Sequence, residues 1–196
     1  MRLILASGSR QRLDLLTQAG LQAEVVVPRI DDSALDGVHP EPANFTLALA
    51  WFKAAQVAST LQASGGPTLI LAADTTCVIN GQIETKPRDA DDARRMVRAM
   101  SNREHEVWTA VAMLQIPAAE RVVWCDCARV HLGAVSSDEL ERYVASGDWR
   151  GRAGGYNYTA RHAAGWPLRC DGDPTTVTGL PMKRLIPWLA RLGVHS

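Results

Sequence analysis

The feature that most constrains the fold is a continuous apolar run at residues 68–73, followed directly by Asp74. A run without polar alternation is typical of a strand that is covered on both faces, as in sheets that lie between layers of helices. A carboxylate inside such a strand is costly to bury, so the pattern predicts that the strand ends at Asp74. The chain therefore has to provide helices for both faces of a sheet.

Other segments provide strands and helices in alternation. Strands are predicted at 2–6, 25–27, 107–116 and 121–132, and a hairpin at 77–83 turns at Asn80-Gly81. Helices are predicted at 11–19, from about 44 to 61, at 89–100, from the Ser136 to Glu139 capping box to 146, and at 182–192. There is no internal repeat and no long linker, which predicts one α/β domain over residues 1–196 with a mixed sheet.

The charge of the chain excludes one class of partner. Lys plus Arg and Asp plus Glu both number 21, so the formal net charge is zero. Without a basic stripe there is no field to hold a nucleic-acid backbone, and we expect no nucleic-acid binding. Any anion has to be bound locally.

The N-terminal segment and the cysteines indicate the cellular compartment of the protein. The first apolar run is too short for a signal-peptide core or a membrane span, which predicts a cytoplasmic protein that binds no membrane. Cys125 and Cys127 form C-x-C within an apolar run, without a second cluster. Buried thiols in a reducing compartment fit this pattern better than a zinc site.

The first candidate site is the turn SGSRQR, from Ser7 to Arg12, between a predicted strand and a predicted helix. Free backbone N–H groups at a helix N-terminus favour an anion, and the turn adds two hydroxyls and two arginines. The alternative is a capped helix with solvated arginines, because the full glycine pattern of a phosphate-binding loop is absent.

The second candidate is Asp74 with Lys86. A carboxylate at the end of a buried strand caps a turn, holds a metal or acts as a base, and local pattern alone does not choose among these roles. Lys86 precedes Pro87, which restricts the backbone and presents the lysine from a defined loop. Carboxylate, lysine and a hydroxyl- and arginine-rich turn are the groups that phosphoryl chemistry uses.

Three further residues are ambiguous from the sequence. Asp32, beside Asp31 in a polar loop, has the oxygen ligands that Mg²⁺ prefers, although solvated turn residues are commoner. Lys53 lies on a polar helix face and would ordinarily be solvated. His105 is interpreted as a surface or core histidine rather than a base.

Motifs along nearly the whole chain resemble the Maf family of nucleotide pyrophosphatases, also called septum formation inhibitor proteins. They are LILASGSRQRLDLL, LAADTTCVINGQIETKPRDADDA, SNREHEVWTAVAM, AGGYNY and GDPTTVTGLPM, in that order. The resemblance implies an elongated mixed sheet flanked by helices, in two lobes around a cleft. It also implies a homodimer.

The resemblance further implies hydrolysis of a nucleoside triphosphate between the α and β phosphates, with Mg²⁺ or Mn²⁺ as cofactor. The implied catalytic residues are Asp74, Lys86 and Lys53; the implied substrate-binding residues are Ser7, Ser9, Arg12, Thr75 and Thr159; and the implied metal ligands are Asp32 and Asp74.

The chain departs from the family pattern S-x-S-P-R-R, where it has Arg10 for the proline and Gln11 for the first arginine. Asp32 replaces a glutamate, Phe52 an acid, and Thr159 a Gln or Glu. The central motifs resemble the dTTP/UTP branch and DPTTVTGLP the 7-methyl-GTP branch, and we favour the pyrimidine branch. A nucleotide-binding regulator linked to septum formation, with weakened catalysis, is the rival hypothesis.

Overall fold

The structure, a computed structural model, describes residues 1–30, 41–61, 66–118 and 120–195. Its strands are β1 (Arg2–Ala6), β2 (Glu24–Val25), β3 (Thr68–Ile79), β4 (Gln82–Glu84), β5 (Arg103–Ile116), β6 (Arg121–Leu132) and β7 (Leu168–Asp171). Its helices are α1 (Arg10–Gln18), α2 (Pro42–Thr60), α3 (Ala90–Met100), α4 (Ser137–Ser146), α5 (Tyr158–Ala163), α6 (Pro174–Thr178) and α7 (Met182–Arg191), with a 3-10 turn at Ala153–Gly155.

The strands form one mixed sheet in the order β2-β1-β3-β5-β6-β7, with β4 paired to β3. β1 runs parallel to β2 and β3, whereas β3, β5, β6 and β7 are successively antiparallel. The predicted α/β class with a mixed sheet flanked by helices is therefore confirmed. The long strands β3, β5 and β6 give the sheet its elongated shape.

Three apolar clusters cover the sheet. Leu49, Ala50, Ala54 and Val57 of α2 are buried on one face of the β1 and β3 half. Residues of α1 and α7, including Leu16 and Leu185, cover the opposite face of that half. The other half packs against α3, α4 and an aromatic group, whose members are Tyr143, Trp149, Tyr156 and Trp166. The core is thus divided along β3 into two parts, as the two-lobe expectation requires.

The strand-end prediction for Asp74 is wrong. β3 continues to Ile79, and Asp74 pairs with Ala110 in the middle of the strand. The strand continues because the β-branched stretch after Asp74 pairs with β5 and favours extended backbone. What ends near Asp74 is the neighbouring strand β1, whose last residue, Ala6, lies opposite Ala72.

Other differences from the sequence predictions are local. β5 begins at Arg103 rather than 107, and α5, β7 and α6 form within a segment predicted only as loops. The capping box holds, since the Ser136 side chain accepts a hydrogen bond from Glu139 N. All four cysteines are free, but the prediction that Cys125 and Cys127 are buried is wrong, since Cys127 is exposed and Cys125 only half-buried. None of the helices in the described ranges is long and apolar enough to cross a membrane.

His105 is a core residue, in agreement with its interpretation from the sequence. Its side chain is buried on β5, and its Nε2 lies 2.7 Å from the hydroxyl of Tyr156. Burial, with a smaller contribution from His131, lowers the pKa of His105 to about 4. The imidazole is therefore neutral at pH 7, and protonation of this group favours the unfolded chain.

This pKa predicts a loss of stability in acid. The unfolded histidine titrates near 6.5 and the folded one near 4, so the unfolded chain binds more protons in that window. Stability is therefore retained above pH 6.5 and falls as the pH drops toward 4, by about 2 kcal/mol at pH 5. Urea unfolding at pH 7 and pH 5 measures this loss, and His105→Gln, which does not titrate, should lack that share of it. Equal losses in both proteins would contradict the assignment.

Candidate active site

A notch in the sheet surrounds Asp74. β1 pairs with β3 only as far as Ala72, and β4 pairs with β3 only from Cys77 onward. Among the described strands, residues 73–76 therefore have a strand neighbour only on the β5 side. The turn after β1 lies at this gap, so the edge of β3 meets side chains there instead of another strand.

Asp74 and Lys53 form an ion pair at the notch. Lys53 Nζ, from α2, donates to Asp74 Oδ1, and the two side chains are only 18% and 11% exposed. Ile70, Ala72 and Asp74 alternate along β3 toward the α2 face, which explains why the lysine comes from that helix. A buried carboxylate needs such a partner, because breaking a buried pair leaves an uncompensated charge that costs about 3–5 kcal/mol.

Arg12 occupies the other side of the notch. Its Nε donates to Gly179 O at 2.9 Å, its Nη1 to Ala73 O at 2.8 Å and Ser7 Oγ at 3.1 Å, and its Nη2 to Thr75 Oγ1 at 3.0 Å. Burial lowers the pKa of Arg12, while the charge of Asp74 raises it. With most of its donors committed to protein oxygens, Arg12 fixes the positions of the groups around it.

Thr75 belongs to the same network. Its hydroxyl accepts from Arg12 and lies 2.9 Å from Thr109 Oγ1, and that hydroxyl donates to Thr176 O at 2.7 Å. Because Thr109 has a single proton and gives it to Thr176, Thr75 must be the donor to Thr109. The proton of Thr75 is thus committed, and its remaining capacity is that of an acceptor.

Ser7 and Ser9 have free donor capacity. Ser7 Oγ accepts from Ser9 N at 3.2 Å and from Arg12, which leaves its own proton uncommitted. Ser9 is the N-cap residue of α1, yet its side chain makes no capping bond, and the first turn of α1 contains no acidic residue. The helix N-terminus and both hydroxyls therefore offer hydrogen bonds to an anion.

A cavity of about 480 Å³ opens over the notch, within the size range of ligand pockets. Ser7, Ser9, Arg12, Lys53, Asp74, Thr75 and Lys86 all line it. Across the described residues the lining has one carboxylate, that of Asp74, and six basic side chains: Arg10, Arg12, Lys53, Lys86, Arg150 and Arg152. Such a concentration of positive charge suits a polyanion.

One of the residues that the resemblance implied does not line the cavity, and another is not among the described residues. Thr159 is exposed and does not line the cavity, although its Oγ1 lies 3.4 Å from that of Thr178, which does. Asp32 lies outside the described residues. The roles of both residues stay predictions.

The loop after α4 contributes residues that the sequence reasoning missed. Arg150, Arg152 and Tyr156 line the cavity from that loop, and Val177 and Thr178 line it from α6. The glycines of GDWRGRAGGYNY are the sequence signal for this loop. The structure shows why one of them is needed: Gly154 has φ 70°, and an added Cβ would lie 2.7 Å from Cys77 Sγ. Glycine thus permits this loop to lie against β3.

The side chains of the cavity determine how a metal ion could be bound there. In the described part of the chain no three His, Cys, Asp or Glu side chains gather as metal ligands. Mg²⁺ commonly keeps several waters and is bound by one or two carboxylates together with substrate phosphates. The carboxylate of Asp74, in a cavity that suits a polyanion, fits that mode of binding and does not fit an all-protein cage.

The fold and the cavity together define an α/β protein with a site for a polyanionic ligand at a lysine-held carboxylate. A family model described as Maf-like protein matches residues 2–192. The chain therefore belongs to the Maf family.

Relatives of the chain match it along nearly all of its length. A dTTP/UTP pyrophosphatase of Pelotomaculum thermopropionicum is 35% identical over 193 residues, which cover 98% of this chain and 97% of that protein. A dTTP/UTP pyrophosphatase of Chelativorans sp. is 36% identical, with 100% and 93% covered. One of Chromobacterium violaceum is 37% identical, with 98% and 95% covered.

The contacts of Arg12 predict a large cost for a conservative change. A lysine places three donors on one atom and cannot reach the oxygens that the guanidinium fork contacts, so Arg12→Lys should lose about 2–4 kcal/mol of unfolding free energy. Urea denaturation measures this loss. The control is Arg10→Lys, at an exposed residue that pairs with Asp14, which should change stability by less than about 0.5 kcal/mol. Equal effects of the two changes would contradict the role of Arg12.

Proposed function

We propose that the protein hydrolyses nucleoside triphosphates to the monophosphate and pyrophosphate, with dTTP and UTP as preferred substrates. The observation that carries the proposal is the Lys53–Asp74 pair at the base of a basic cavity. Membership of the Maf family and the names of the relatives support the same activity and the pyrimidine branch. The alternative substrate is 7-methyl-GTP.

Asp74 is the proposed general base. Lys53 orients its carboxylate by donating to Oδ1, which leaves Oδ2 to face a water molecule in the cavity. Asp74 accepts a proton from water as the water oxygen bonds to the α-phosphorus. The bond from that phosphorus to the α-β bridging oxygen breaks, and pyrophosphate leaves with the electron pair.

The donors around the cavity have distinct proposed tasks. Ser7, Ser9 and the N-terminus of α1 bind phosphate oxygens, and Lys86 and Lys53 offset the charge that grows on the leaving group. Arg12 acts through Ser7 and Thr75 rather than by direct contact, since most of its donors are committed to these hydroxyls and to backbone carbonyls. Thr75 is then a positioning residue that can also accept a hydrogen bond from the substrate.

A divalent cation, Mg²⁺ or Mn²⁺, is the proposed cofactor, held by Asp74 and, from outside the described residues, by Asp32. It would arrive with the triphosphate and neutralise part of its charge. The base would be bound on the side of Tyr156, Tyr158 and Thr178, which line the cavity. Thr159 would act there through its contact with Thr178. We also propose a cytoplasmic homodimer of single-domain chains, in keeping with the sequence predictions.

The test of this function is release of pyrophosphate with Mg²⁺ or Mn²⁺ from dTTP, UTP, CTP, GTP and 7-methyl-GTP. We expect dTTP and UTP to be cleaved fastest. Asp74→Asn removes the base and should lower kcat by about 10²- to 10⁴-fold. Lys86→Ala removes a charge from the transition state and should lower kcat by about 10²- to 10³-fold.

The matched control is Asp126→Asn, which changes a strand carboxylate that pairs with Arg184 outside the cavity. It should keep kcat within about twofold. Full activity of Asp74→Asn, or no pyrophosphate from any of these substrates, would overturn the proposal. Tight binding of a triphosphate without turnover would instead support the regulator hypothesis.

A further inference from the structure

A hydrogen bond joins two walls of the cavity. Arg152 Nη1, on the loop after α4, donates to Gln11 Oε1, on the first turn of α1, at 2.7 Å. The two residues are 141 positions apart in sequence, and both line the cavity. The bond therefore belongs to the tertiary structure of the site and not to a local turn.

Among the described residues, no carboxylate pairs with Arg152 in addition to this bond. Glutamine is a neutral acceptor, so it orients the guanidinium without neutralising it. Arg152 Nε is buried and has no hydrogen-bond partner within the described residues. By contrast, Arg94 and Arg95 each bind carboxylates. A half-buried guanidinium that is held by an amide and lacks a carboxylate partner within the described residues is suited to receive an anion.

The backbone under Arg152 is fixed in place. The residue directly precedes the 3-10 turn, where Gly154 N donates to Thr85 O at 3.3 Å and Tyr143 Oη donates to Gly155 O at 2.8 Å. Gly155 lies against Pro87, which follows Lys86. The backbone next to Arg152 is thus tied to the segment that carries Lys86.

The neighbouring Arg10 is not equivalent to Arg152. Its Nε donates to Asp14 at 2.9 Å, one helical turn along α1, and its side chain is 83% exposed. Its charge is therefore compensated and solvated. Arg12 is also excluded as a free cation, because its donors are committed to protein oxygens.

From these contacts we infer that Arg152 binds the phosphate chain of the substrate and that Gln11 is the residue that positions it. The inference rests on the proposed function, since it names a further contact in the same site. The planar fork of the guanidinium donates two parallel hydrogen bonds to phosphate oxygens, a geometry that lysine cannot match. Gln11 keeps the fork turned into the cavity before the substrate arrives.

Binding is the primary test, because it does not require turnover. The probes are α,β-methylene-UTP and inorganic pyrophosphate, titrated by calorimetry with Mg²⁺. Arg152→Gln should weaken binding of both probes by about 10- to 100-fold, the range expected for a charge-assisted contact. Arg152→Lys keeps the charge but loses the fork, and should weaken binding by about 3- to 10-fold.

An exchange of the two side chains separates an anion contact from a structural bridge. Because Gln11 and Arg152 meet at 2.7 Å, the double variant Gln11→Arg/Arg152→Gln places a guanidinium and an amide at the same junction. We expect it to bind α,β-methylene-UTP within about fivefold of the unchanged protein. Gln11→Ala should raise KM by about threefold and leave kcat unchanged, as expected of a residue that acts through Arg152.

The control is Arg169→Gln, which removes a positive charge from an exposed residue of β7 outside the cavity and should leave binding unchanged. Thermal melting checks that each variant is folded. If Arg152→Gln does not fold, the binding affinity of Arg152→Lys for the two probes is the test. Unchanged binding in a folded Arg152 variant, or an exchanged pair that binds no better than Arg152→Gln, would overturn the inference. A protein that binds the probes through Arg152 but releases no pyrophosphate would refute the proposed function alone.

Discussion

The site depends on a break in strand pairing along β3. This strand runs through both halves of the core. Its pairing with β1 ends at Ala72 and its pairing with β4 begins at Cys77, so the residues between them pair with neither strand. A backbone edge without a strand neighbour needs other partners. Arg12 provides one by donating to Ala73 O, and the same guanidinium holds Ser7 and Thr75. The gap in the sheet thus creates the cavity and also determines which side chains are fixed around it.

The sequence predicted the elements with strong patterns and the residues with strong chemistry. The apolar run before Asp74, the Asn80-Gly81 turn and the capping box at Ser136 all appear in the structure as expected. Seven of the residues implied by the resemblance line the same cavity. Local pattern was sufficient there because apolar periodicity and turn chemistry act over a few residues.

The failures have a common physical origin. The strand was expected to end at Asp74 because burial of a lone carboxylate is costly, and local sequence could not show that Lys53, 21 residues earlier, would compensate it. In the same way, local sequence showed only that Gln11 stands where the family pattern has an arginine, next to Arg10. The guanidinium that meets Gln11 comes from position 152, and Arg10 pairs with Asp14 instead. Both corrections depend on contacts between distant parts of the chain.

The arginines of the site therefore divide into a structural and a binding group. Arg12 donates most of its hydrogen bonds to protein oxygens and so maintains the shape of the notch. Arg152 has a donor without a partner among the described residues, and we assign it to the ligand. This division lets a nearly neutral protein hold a polyanion, because the positive charge is concentrated at one place and its geometry is set beforehand.

The central claim is that water directed by Asp74 attacks the α-phosphorus of the substrate. Hydrolysis of dTTP in ¹⁸O-enriched water, followed by ³¹P NMR of the products, tests it directly. Attack at the α-phosphorus places the ¹⁸O label on the phosphorus of thymidine monophosphate and leaves the pyrophosphate unlabelled. Label in the pyrophosphate, or in inorganic phosphate released from the γ position, would contradict it.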